Sequence, residues 1–159
     1  MRLLLATALG AALLALPAQA AQGTGSATQT ISLVSKTVNF RLTVDRSPKG
    51  LPNKGDVLRE ESVLSNHVPQ FGKRKCANVG SDVGLYTVVT VRPMRMKLRV
   101  TVRLPGGNLR GTGTIAGTNV TLRVVGGTGD FANARGTGTV REHNGARPGV
   151  LNVYRLQLP

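Results

Sequence analysis

The sequence predicts an all-β protein, a closed antiparallel β-barrel of seven or eight strands following a cleaved helical signal segment. Three observations predict it. Apolar residues of the later chain alternate with polar ones at period two, and the 3.6-residue period of a helix does not recur. Glycine and proline are abundant, 20 and 8 of 159 residues, and they cluster between the alternating runs. A short repeat, Arg110-Gly-Thr-Gly-Thr-Ile115 and Arg135-Gly-Thr-Gly-Thr-Val140, puts glycine at alternate strand positions. Seven or eight short strands in roughly 130 residues fit a barrel or a sandwich. The side-chain-free face of the repeat permits the bending that closure requires and favours the barrel.

Taken in order, Met1-Arg2 is followed by an apolar run from Leu3 to Leu16, then Pro17 and Ala18-Gln19-Ala20. This is the pattern of a secretory signal peptide over residues 1–20, cut after Ala20, and it predicts a secreted, extracellular protein. The run is shorter than the ~20 residues of a membrane-spanning helix. Residues 21–30 are small and polar and are expected to be flexible, with frayed chain from Ala21 to Gln29; residues 31–159 are expected to form the barrel. Val38, Phe40, Leu42 and Val44 alternate with polar neighbours as a first strand. Val57–Leu64 is strand-like, and Leu85–Val91 is apolar on both faces, as a buried strand would be. Met96, Leu98, Val100, Val102 and Leu104 alternate again; Val120–Val125 and Val150–Leu158 follow, with the two repeat strands between. Turns are expected at Arg92-Pro93, Pro105 to Asn108, Gly117 to Asn119, Gly126-Gly127 and Asn144 to Gly149. Residues 65–84 read as the longest polar connection, and no helix is expected after the signal segment.

Charge and composition exclude several classes. Lysine and arginine number 21 against 7 acids, a formal charge of +14. The bases are spread over the polar faces of many strands, as a solvated surface or a nonspecific attachment to anionic cell-surface polymers or lipids. With no Trp, two Tyr and three Phe, few rings are available to stack bases, and no specific nucleic-acid partner is expected. One Cys and two His exclude a disulfide framework and a metal scaffold. Cys76 is either buried and inert or paired between chains. His67 and His143 lie in polar stretches and read as solvated loop residues, not metal ligands. Gly127-Thr-Gly-Asp-Phe-Ala132 matches a dinucleotide fingerprint formally, but a strand-like segment follows where a helix is needed.

Glu60 is the residue that parity singles out. Counting by twos from Leu58 and Leu64 places Glu60 and Ser62 on the inward face of their strand. An inward carboxylate in an apolar lumen can act as an acid or base, or it can be one half of a structural ion pair with an arginine.

The segment Val124-Val-Gly-Gly-Thr-Gly-Asp-Phe-Ala-Asn-Ala-Arg-Gly136 closely resembles the signature of the dirigent and allene oxide cyclase superfamily. Asp45-Arg46-Ser47-Pro48, Gly55-Asp56 with the strand to Leu64, and Val79-Gly-Ser-Asp-Val-Gly-Leu-Tyr-Thr-Val-Val89 look like its other blocks, in the family's order, across residues 36–158. The resemblance implies an eight-stranded calycin-type barrel with an interior cavity, assembled as a homotrimer. It further implies a protein without metal or organic cofactor that steers cyclisation or radical coupling of a small hydrophobic or phenolic ligand. The positions of the cyclases' inward glutamate and asparagine on the first strand hold Phe40 and Leu42, while their cysteine and second-block asparagine become Tyr86 and Ser62. The acid and arginine on which dirigent proteins depend have candidates in Asp130 and Arg135. Glu60 and Arg135 are thus expected as catalytic groups, with Phe40, Leu42, Ser62, Tyr86 and Asp130 as substrate-binding groups. Arg135 is expected to balance the charge of Glu60, and Tyr86 to hydrogen-bond to it. Two readings stay open: an isomerase-like barrel, or a non-catalytic lipocalin-like binder or cationic surface-associated protein.

Overall fold

The structure, a computed structural model, describes residues 27–117, 119–145 and 147–159, so the expected signal segment and cleavage site lie outside the described residues. Eight strands follow one another: β1 (Ala27–Val44), β2 (Val57–Asn66), β3 (Asn78–Val91), β4 (Met94–Leu104), β5 (Gly107–Ala116), β6 (Asn119–Gly127), β7 (Arg135–His143) and β8 (Gly149–Leu158). Each pairs antiparallel with the next, and β8 returns to β1, closing the barrel. Period-two patterning has this outcome because only one face of each strand needs to be apolar.

Four local expectations are corrected. Residues 27–30, placed in the flexible segment, are in β1, where Ala27 to Thr30 pair with Leu158 to Arg155. The long polar connection shrinks because Asn78–Gly84 belongs to β3, its small and polar residues held by ladders to both β2 and β4. Gly126-Gly127 is the end of β6, opposite Arg110 and Leu109, with a bulge at that point. Among the described residues the one helical element is a 3-10 turn, Gly129–Phe131; it forms because Gly129 adopts φ +59 and Ala132 N–H closes on its carbonyl.

The barrel has two unlike ends. One is solid. Ile31, Leu33, Leu64, Val102, Leu109, Val124 and Leu156 fill it, each essentially without exposure, and Phe131 from the 3-10 turn and Phe71 from the β2–β3 loop pack against them. Asn66 ties that loop across the base, its amide donating to the carbonyls of Gln70 and Lys73. The other end is open. The β1–β8 ladder stops at Ser35↔Val150, whereas the β1–β2 ladder runs on to Val44↔Val57. The β1–β2 hairpin therefore projects past its neighbour as a flap. Asp56, fully buried at its base, accepts from Arg46 and Asn53 N–H groups, both at 2.7 Å, and fixes the hairpin loop.

The glycine repeat is explained by Leu122. Gly113 and Gly138 flank it on β5 and β7, and a Cβ at Gly138 would stand 2.7 Å from the Leu122 side chain. One leucine thus occupies lumen that three side chains would otherwise contest. Gly136 is more constrained still: its φ is +152, and a Cβ would lie 1.9 Å from the Arg155 carbonyl oxygen. Gly136→Ala is expected to cost about 3 kcal/mol, since strain and a backbone clash add. Gly117→Ala, at φ +61 with open space around it, meets only strain and is expected to cost about 1 kcal/mol. Urea unfolding compares the two; equal losses would contradict the close β7–β8 approach.

Candidate functional site

The open end holds a cavity of about 180 Å³ inside the barrel. Its floor and far wall are apolar, with Leu98, Val100, Ile115, Leu122 and Val140 among the lining residues. Its polar groups come from three neighbouring strands and β8: Ser35, Glu60, Ser62, Asp82, Tyr86, Asn152 and Tyr154. None of the described residues that line it is a cation.

Register explains the grouping. Glu60 stands opposite Gly84, and Ser62 opposite Asp82, with Tyr86 two residues further along β3 on the same inward face. Gly84 makes room for the Tyr86 ring: a Cβ there would lie 2.9 Å from the ring edge and 3.1 Å from the hydroxyl. Folded over this glycine, the Tyr86 hydroxyl donates to Glu60 Oε2. Thr37 donates to Glu60 Oε1, and the Ser62 hydroxyl lies 3.5 Å from the same oxygen. On the adjoining β1–β8 wall the Asn152 amide donates to Ser35 Oγ at 3.1 Å.

The electrostatics follow from burial. Desolvation pushes the Asp82 carboxyl up to about 6; the Ser62 hydroxyl opposes this, and the charge of Glu60 adds to it. Burial, then the bond to Glu60, holds the Tyr86 phenol well above its usual range. Burial, then the neighbouring Asp82, does the same for Tyr154. The cavity therefore offers one carboxyl, Glu60, reached through a phenol, and a second, Asp82, that gives or takes a proton near pH 6. A flat or elongated ligand between them could lose a proton at one end and gain one at the other.

No family model and no curated protein matches the chain. Solved structures do. A pyocyanin demethylase is 24% identical, with 80% of this chain and 99% of that one covered and a TM-score of 0.61. A pterocarpan synthase dirigent protein is 17% identical, covering 84% and 89%, at 0.57. An exo-specific intermolecular Diels-Alderase is 13% identical, covering 84% and 98%, at 0.62. The chain shares the fold of these structures.

On that barrel the expected site residues separate into two groups. Glu60, Ser62 and Tyr86 meet in the cavity, and Tyr86 bonds to Glu60 as the parity argument requires. Arg135 does not join them. It pairs with Gln157 on the outer wall, and its guanidinium donates to the Val125 and Ala134 carbonyls at 2.7 and 3.1 Å. Asp130 sits exposed in the 3-10 turn at the solid end, its N–H on the Gly106 carbonyl. Phe40 and Leu42 share the inward side of the β1–β2 ladder, opposite Glu60 and Leu58, but are 59% and 45% exposed. They lie beyond the last β8 residue, where no wall stands across from them. Asp82, Tyr154, Ser35 and Asn152 join the site unforeseen. Asp82 was within reach of the parity count, two steps back from Tyr86, but the polarity of its surroundings read as loop.

Proposed function

We propose that the chain is a secreted barrel that binds a small hydrophobic or phenolic molecule at its open end and steers its cyclisation or isomerisation by proton transfer. The observation that carries this reading is the arrangement of two carboxyls, Glu60 and Asp82, with Tyr86 on one otherwise apolar lumen. A ligand hydroxyl docked on Tyr86 would pass its proton to the phenol oxygen as the phenol proton moves to Glu60 Oε2. Asp82 would return a proton to the far end of the conjugated system. Holding the ligand in one reactive conformer supplies the remainder of the effect. The cavity is smaller than the ~300 Å³ at which drug-sized pockets begin. A ligand of two or three rings would extend through the mouth along Phe40 and Leu42, giving those two an accessory contact. That the similar structures include a pyocyanin demethylase, a pterocarpan synthase dirigent protein and a Diels-Alderase supports a ring-bearing or ring-forming substrate.

Mass spectrometry of the natively secreted protein under gentle conditions tests the reading. The wild type is expected to carry a small organic molecule that Val140→Trp, which fills the cavity, excludes. Equal occupancy in both, or an empty wild type, would contradict it. The reading includes a homotrimer that covers the outward Leu85, Thr87 and Val89 side of β3; sedimentation at micromolar concentration is expected to show it, and monomer alone would remove it.

A further inference from the structure

The outer wall carries a built arginine row. Directly opposed residues on successive strands run Arg99, Thr112, Arg123, Thr137, Arg155 across β4 to β8. Opposed residues share a face, and adjacent strands lie about 4.8 Å apart. The three arginines therefore stand at intervals of about 10 Å, each separated from the next by a threonine hydroxyl. All three are exposed. The charge is not balanced locally: residues 94–158 hold ten bases, nine of them arginine, against Asp130 and Glu142. Among the described residues the one ion pair is Arg59–Glu61, on β2. Beside the row, Arg110 and Arg135 bring their guanidinium groups to 3.6 and 3.5 Å of the point where a Gly126 Cβ would stand. The Val125 and Ala134 carbonyls hold the Arg135 guanidinium there, and two like charges gathered over one glycine make this part of the wall strongly positive.

We infer that this face of β4–β8 binds a linear anionic polysaccharide laid across the strands. Arginine forks recognise sulfate and carboxylate groups bidentately, and lysine, which accounts for one of the ten bases here, does not. A sugar chain with an acid group on every other residue presents charges at a comparable interval, with neutral sugars to meet the threonines. Nucleic acid fits less well, since the row holds no ring on which a base could stack. A lipid surface also fits less well: the exposed large apolar side chains, such as Phe40, Leu42 and Leu85, all lie on β1–β3, the connecting loops or the first residue of β4. The inference is independent of the lumen site.

Salt-dependent binding to immobilised heparin tests it. Arg99→Ser/Arg123→Ser/Arg155→Ser is compared with Lys49→Ser/Lys54→Ser/Arg92→Ser, which removes the same charge from exposed positions off the row. The row variant is expected to lower the slope of log affinity against log salt by about 3, one per lost contact, and the control by less than 1. The triple Arg→Lys variant, which keeps the charge, is expected to weaken binding at least about tenfold through loss of the forks. Far-UV circular dichroism confirms that each variant retains its sheet. Equal losses in row and control variants, full binding by the lysine variant, or tighter binding of duplex DNA than of heparin at matched salt would overturn the inference.

Discussion

Glu60→Gln is expected to reduce turnover of the ligand carried by the native protein by about 10²- to 10⁴-fold, the range of a lost general base, while the barrel stays folded. Glutamine is isosteric but keeps one acceptor oxygen: it accepts from one of Thr37 and Tyr86 and presents its NH2 to the other hydroxyl, which can turn to accept it, so the change removes proton acceptance while keeping the shape. A second readout requires no substrate. The chain has two tyrosines, Tyr86 and Tyr154, and both are raised by burial. The bond to Glu60 contributes only to Tyr86. Near-ultraviolet titration of Glu60→Gln is therefore expected to move one phenol of the two to lower pH. If both transitions stay where they were, Tyr86 and Glu60 are not coupled.

Asp82→Asn is expected to stabilise the protein at pH 8 by up to about 3 kcal/mol. The carboxyl rises from 3.8 to about 6 on folding, and each unit is worth about 1.4 kcal/mol. A raised carboxyl binds its proton more tightly in the folded state. Its favourable contribution is thus complete below pH 4 and lost as pH climbs through 6. Above that, wild type holds a buried charge with no cation beside it. The asparagine variant removes the penalty at pH 8 and changes nothing at pH 4, which urea unfolding at the two values measures. The same variant cannot transfer a proton, so its turnover is expected to fall. The activity of the wild type is expected to decline above pH 6 as Asp82 loses its proton. Stability gained and activity lost together mark a residue kept for function. A destabilised Asp82→Asn at pH 8 would mean that the carboxylate has a partner the structure does not show.

Most of the fold was legible because closure demands a simple pattern. Period two fixed the strands, and the glycine repeat signalled the bend, which the packing of Leu122 between Gly113 and Gly138 accounts for. The meeting of Glu60 with Tyr86 was also legible, since parity within a strand survives any register. What parity cannot supply is where a wall ends. Phe40 shares the face of Glu60, yet the β8 ladder stops short of it, a fact set by where β8 begins, at Gly149, and not by the first strand itself. Arg135 and Asp130 stand away from the cavity for a different reason. They match a family pattern by identity, whereas their direction depends on the bulge near Gly126 and on the 3-10 turn, neither of which alternation encodes. Asp82 was hidden by its surroundings: a strand rich in glycine and serine looks like loop until both neighbours pair with it.

The most direct test of the central claim is a crystal structure of the protein purified from its native source under conditions that retain any bound small molecule. The account predicts ligand density inside the open end of the barrel, with one polar atom within hydrogen-bond distance of the Tyr86 hydroxyl and another near the Asp82 carboxyl. Density confined to the outer wall, with the lumen holding only water, would contradict it.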